Sequence, residues 1–127
     1  MSFFYITDEP AFGDAGSCDD VAMLVAGGDI DFAASPQLRE RLADYVSKGK
    51  RHLVVDLSSV TFIDSTAIGV LVGAVMRLRE QEHGSMAVVC NDENKRVLRI
   101  FDIAGVENMI DLHSSRAEAL SALAIAS

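Results

Sequence analysis

What most constrains this chain is the regular exchange of two hydrophobic periods along it. Short apolar runs at residues 21–26, 53–57 (interrupted by Asp56) and 86–90 are each followed by a stretch in which apolar residues recur at helical spacing. A continuous apolar run closed by turn residues is the pattern of a strand buried on both faces. Strands that alternate with amphipathic helices need right-handed crossovers, which makes the sheet largely parallel. The prediction is an α/β fold in which a mixed, mostly parallel sheet of about five strands has four helices packed against it.

Local signals fill in the elements. Residues 3–7 (Phe-Phe-Tyr-Ile-Thr) are β-rich and sit where they can pair antiparallel with the strand at 21–26, which Gly27 and Gly28 are expected to close. Ser35-Pro36 predicts a helix start with Ser35 as the cap, and Leu38, Leu42, Tyr45 and Val46 give that helix its apolar face until Gly49. A second helix is predicted from Ser65 to about Glu82, ended by His83-Gly84. A third runs from Glu93 to about Asp102 and is stopped by Gly105. After a short strand at 109–112, the Ser115-Arg116-Ala117-Glu118 box opens a terminal helix. With 127 residues, half of them apolar, and no linker or repeat, the whole chain reads as one domain: a strand and an acidic loop over 1–20, then a core over 21–127.

Charge narrows the choice of partners. The net charge is -8, and the first 31 residues hold seven acids (Asp8, Glu9, Asp14, Asp19, Asp20, Asp29 and Asp31) without a Lys or Arg. Binding to a nucleic-acid backbone needs several cationic contacts, so nucleic acid is an unsuitable partner. No apolar run approaches the roughly 20 residues that span a bilayer. Cys18 and Cys90 are too few for a disulfide framework and lack metal-site spacing, which points to reduced thiols in the cytoplasm, with no metal and no cofactor.

The segment that departs from ordinary helix packing is residues 62–73. Its helix is apolar almost all round for two turns, which requires burial on more than one side or a partner on one face. Gly69 and Gly73 share a face and remove bulk there; close packing on the sheet is the plain expectation. At the helix start, Asp64 or Ser65 can serve as a simple cap, and a serine hydroxyl there is also within reach of another protein. A phosphate on Ser65 would meet a helix N-terminus that tolerates negative charge, while crowding Asp64 and repelling a partner fitted to the unmodified surface.

At these residues the chain resembles the bacterial anti-sigma factor antagonists of the STAS domain family. Their motif, Asp-Ser-[Ser/Thr]-Gly-[Leu/Ile]-Gly, corresponds to Asp64-Ser65-Thr66-Ala67-Ile68-Gly69. Gly28-Asp29-Ile30-Asp31 before Ser35-Pro36, and residues 97–106 ending in Gly105-Val106, are similar to two further segments of that family. The resemblance, from about Val21 onward, implies a STAS fold and a partner-switching role. It implies an unphosphorylated protein that binds an anti-sigma factor, itself a serine kinase, and so frees a sigma factor; phosphorylation reverses this and a serine phosphatase resets it. Ser65 matches the phosphoacceptor, with Thr66 as second choice, and Asp31 matches an acid beside it. The implied docking surface is the 27–31 loop with Asp29 and Asp31, the helix start with Asp64, Ser65, Thr66, Ala67, Ile68 and Gly69, and the helix after Ser35. A monomer or weak dimer is expected. Ala67 departs from the motif's Gly and is expected to add a methyl on the side from which a kinase approaches, and the acidic stretch 9–20 is longer than the family's usual connection.

Catalysis finds no support. No Gly-x-Ser-x-Gly surrounds Ser65, and His52, His83 and His113 fall in unrelated elements, so no catalytic residue is assigned. The competing reading is a STAS scaffold or small-ligand sensor that no kinase controls.

Overall fold

In the computed structural model, which describes residues 3–9, 20–81 and 84–123, the apolar run beginning at Val21 lies inside a five-stranded sheet. The elements in chain order are β1 (Phe4–Glu9), β2 (Val21–Ile30), α1 (Ser35–Ser47), β3 (His52–Ile63), α2 (Ser65–Arg79), β4 (Ser85–Val89), α3 (Lys95–Ala104), β5 (Asp111–His113) and α4 (Arg116–Ala122). The strands lie side by side in the order β1-β2-β3-β4-β5. β1 is antiparallel to β2 and every other pair is parallel, as the alternation predicts.

The two faces of the sheet are covered unequally. Alternate residues Leu24, Leu53, Val55 and Val88 point to one face, where they meet Leu38 and Leu42 of α1, Leu71 and Leu78 of α2 and Phe101 of α3. Burying each such side chain contributes about 1.5–3 kcal/mol relative to leaving it exposed. Met23, Val25, Val54, Ala87 and Val89 point to the other face, where Ala119 and Leu123 at the end of the chain cover them. α4 is only 7 residues long. It is anchored by Arg116, whose Nε donates to Asp56 Oδ2 at 2.6 Å and whose Nη atoms donate to the Glu9 carboxylate at 3.1 and 3.3 Å. Bonds to Glu9 and to Asp56 raise the guanidinium's pKa further. Half of the predicted capping box forms: Ser115 Oγ accepts from the Glu118 amide, but the Glu118 carboxylate accepts from Ser114, one residue before the cap, whose hydroxyl and amide hold it below its ordinary pKa.

Several boundaries differ from the sequence expectation. β2 does not stop at the glycine pair but continues to Ile30, with register shifts against β3 between Val25 and Gly27 and between Gly28 and Asp29. Gly27 makes room for the Tyr5 ring, which a Cβ there would meet at 2.3 Å, and Gly28 takes φ +79° with Phe3 O at 2.1 Å from where its Cβ would be. Ser35 is not the cap of α1. The N-cap is Ala34, which has no side-chain bond, and Asp31 orders the turn by accepting from the amides of Ala33 and Ala34, while Ser35 Oγ donates to Asp31 O at 2.9 Å. α2 ends at Arg79, β3 extends six residues beyond Leu57 and the last strand is shifted to Asp111–His113. Asn94 caps α3 at the Val97 amide, and Gly105 ends it in the left-handed conformation, as expected. Cys18, His83 and most of the 9–20 segment lie outside the described residues.

Gly69 and Gly73 are the clearest departure. Close packing on the sheet is the sequence expectation, yet a Cβ at either position would meet nothing within 4 Å. Their face of α2 opens into a cleft of about 220 Å³ whose lining includes Arg39 and Leu42 of α1 and Arg77 of α2.

Candidate functional site

The parallel pairing of β2 with β3 brings the two acidic motifs together. Asp29 is in register with Phe62 and Ile30 with Ile63, so Asp31 and Asp64 leave the sheet side by side at the carboxyl ends of adjacent strands. The Asp64 amide donates to Ile30 O at 3.4 Å, which ties the start of α2 to the end of β2. This is where open α/β sheets place their binding sites, because helix N-termini there leave unpaired amides facing outward.

Asp64 has extended backbone (φ -110°, ψ 176°), and its Oδ1 accepts from the Ala67 amide at 3.0 Å. Asp64 is therefore the cap, which leaves Ser65 and Thr66 as the first two helical residues, both exposed. Among the described residues no hydrogen bond ties down the Ser65 hydroxyl, and the free amides of the first turn lie beside it. Asp31 is half-buried and engaged with its own turn, and Asp29 accepts from Thr61 Oγ1 at 3.0 Å. The geometry thus offers a nucleophilic oxygen at a helix N-terminus, adjacent to strand ends that carry Asp29, Asp31 and Asp64.

Two expected contact residues are corrected. Ala67 is fully buried and Ile68 is 3 % exposed, so both side chains enter the core instead of lining an outer face. The Ala67 methyl adds nothing to the outer surface, because position 67 is the first inward-facing position of α2. The 27–31 segment is not a loop either: Gly27 to Ile30 belong to β2, and only Asp31 stands in the turn. Gly69 is exposed as expected.

Sequence reasoning missed Phe3, Tyr5, Thr61 and Phe62 as neighbours of this site. Phe32 and Phe3 are each 72 % exposed, and Tyr5 and Phe62 are each 37 % exposed. A signal was present in Thr61-Phe62-Ile63: if Ile63 faces the core, strand alternation puts Phe62 on the opposite side. An open polar depression of about 520 Å³ lies at the ends of β3 and β4, lined by residues that include Ser58, Ser59, Thr61, Asn91 and Arg96. Among the described residues no group of His, Cys, Asp and Glu is arranged to hold a metal ion, and no helix is long and apolar enough to cross a membrane.

The STAS domain model matches residues 16–119. Over 100 residues the chain is 33% identical to the anti-sigma-B factor antagonist of Listeria monocytogenes, a match that covers 79% of this chain and 84% of that protein. It is 34% identical over 94 residues to the anti-sigma-B factor antagonist of Bacillus subtilis, covering 74% and 82% respectively. Among solved structures, an anti-sigma factor antagonist from Mycobacterium paratuberculosis is similar with a TM-score of 0.79 at 22% identity, over 95% of this chain and 94% of that one, a likeness of fold.

Proposed function

The chain belongs to the STAS domain family, and from that membership together with the exposed Ser65 we propose that it is an anti-sigma factor antagonist switched by phosphorylation of Ser65. The family is a regulatory one and not a known enzyme class. In this reading the unmodified protein binds a cytoplasmic anti-sigma factor with serine-kinase activity and displaces a sigma factor; a serine phosphatase restores it after modification. The supporting observation is the placement of Ser65: exposed, first in α2, its hydroxyl free of any described bond, beside a cap that Asp64 already supplies. Since the cap does not use Ser65, modification there leaves the fold intact and acts on the docking surface alone.

The consequence is electrostatic. A phosphate brings about two negative charges to the strand ends of Asp29, Asp31 and Asp64. The amides of the first turn tolerate it locally, but a partner fitted to the unmodified face meets added repulsion and a bulkier group. Ser65→Ala should bind the anti-sigma factor constitutively and Ser65→Glu weakly, measured by calorimetry; equal affinity of the two variants would sink the switch. The polar depression at Ser58, Ser59 and Thr61 favours a second reading as a ligand-sensing module. Failure of the protein to capture any anti-sigma factor, together with small-molecule retention, would favour it.

A further inference from the structure

We propose that the part of the sheet's α4 side beside Asp29, which no other described element covers, is a docking platform for an arginine of the protein partner, held between aromatic rings and the Asp29 carboxylate. This deepens the antagonist reading and rests on it for the partner's identity. α4 covers the Val21, Met23, Val25 and Ala87 part of that side. Further along β2 the same side carries Gly27 and Asp29. Ile6 with Ala26, and Ile30 with Ile63, are register pairs whose side chains enter the core of the three-helix side, so the neighbouring pairs Tyr5 with Gly27 and Asp29 with Phe62 face the other way.

The arrangement there is built rather than accidental. The Tyr5 ring lies on Gly27, where no side chain is tolerated without movement, and the Phe3 ring packs against it with centroids 6.4 Å apart and planes inclined at 56°. The Asp29 amide donates to Phe3 O at 2.8 Å, so Phe3 flanks Asp29 on the β1 side as Phe62 does on the β3 side. Two strand spacings separate those flanks by roughly 9–10 Å, enough for a planar group between rings. Thr61 Oγ1 occupies Asp29 Oδ1, which orients the carboxylate, and Oδ2 has no partner among the described residues. Aromatic surface left exposed around one carboxylate favours a cation with a planar face: both lysine and arginine gain cation–π attraction, but only arginine adds a stacking plane and a fork of donors for the carboxylate. Charge complementarity points the same way, since Asp31 and Asp64 stand beside Asp29 at the ends of β2 and β3. Phe62 is three residues from Ser65, so an arginine anchored here would hold the partner beside the switched hydroxyl.

Two titrations test this, with Asp29→Asn and Phe62→Ala first shown to keep the wild-type circular dichroism and melting temperature. In the first, the isotope-labelled full chain is titrated with acetyl-Gly-Arg-Gly-amide at millimolar concentration. The expected result is amide shifts confined to the neighbourhood of Phe3, Asp29 and Phe62, weaker with the lysine peptide and absent in Asp29→Asn. Shifts spread over the acidic surface, or unchanged by Asp29→Asn, would overturn the platform. In the second, the cognate anti-sigma factor is titrated with the same variants, each expected to bind roughly ten-fold more weakly. If Ser65→Glu weakens binding while Asp29→Asn and Phe62→Ala stay within two-fold of wild type, the platform is wrong and the switch stands. If the wild type binds no anti-sigma factor, the antagonist reading fails and the peptide titration still decides the platform.

Discussion

Replacing Asp64 by Ala separates two roles that the site gives to one carboxylate. Asp64 Oδ1 accepts from the Ala67 amide at 3.0 Å, and loss of an N-cap of this kind costs about 1 kcal/mol. Removing a negative charge from the helix N-terminus costs a further ~0.3–1 kcal/mol. The inward residues of α2, among them Ala67, Ile68, Leu71 and Leu78, remain buried, so the helix should persist and only the stability should fall. The expected loss is about 1–2 kcal/mol, or roughly 4–8 °C in melting temperature for a domain of this length. Asp64→Asn retains an acceptor for the cap and loses only the charge, so it should give up less than half as much. Urea unfolding of the three proteins, with a shared slope of about 1–3 kcal/mol per molar, resolves this difference. A loss below about 0.3 kcal/mol for the alanine variant, or equal losses for Ala and Asn, would refute the assignment of Asp64 as the cap that frees Ser65.

Gly28→Ala should destabilise by about 2–4 kcal/mol and loosen β1, because φ +79° disfavours any L side chain and the Cβ position lies 2.1 Å from Phe3 O; amide exchange at Asp29 is the direct readout. Arg116→Met leaves the Asp56 carboxylate, 5 % exposed, with the Ser58 amide as its remaining described donor, and should cost about 2–3 kcal/mol, reduced from a fully buried pair because Arg116 itself is partly exposed. In Arg116→Met/Asp56→Leu much of that loss should return, and a double-mutant cycle in urea measures it. Burial, with smaller contributions from Asp56 and Asp92, pushes the Cys90 thiol from 9.0 to about 11. The unfolded thiol therefore ionises first, and stability should fall as pH rises from 9 to about 11. In a Cys18→Ser background, Ellman's reagent should react slowly with native protein at pH 8, and fast reaction there would contradict the burial.

The parallel sheet was legible because its information is local: short apolar runs mark β2, β3 and β4, and helical spacing marks α1 to α3. The ends of β2 and β3 were hidden because tertiary contacts decide them. Gly27 and Gly28 have the composition of a turn, yet the Tyr5 ring and the Phe3 carbonyl occupy the space their missing side chains leave, so the strand continues. Ser35 has the chemistry of a cap, but Asp31, four residues earlier, already bonds the turn amides. At the site, Ser65 and Thr66 could be placed from the motif alone, whereas the inward turn of Ala67 and Ile68 follows only from the phase of α2 against the sheet. Gly69 and Gly73 show the opposite limit: their spacing fits close packing and an open face equally well, and the empty space beside both in the folded chain settles it.

The central claim rests on one hydroxyl, and affinity measured before and after its modification tests it most directly. The protein is incubated with ATP and its cognate anti-sigma kinase, the phosphopeptide is mapped, and modified and unmodified forms are titrated with that kinase under identical salt. The account predicts phosphate on Ser65 alone and an affinity at least about a hundred-fold lower for the modified form, the range that one or two unfavourable charge contacts at a docked surface produce. Phosphate elsewhere, or equal affinity of the two forms, would contradict it.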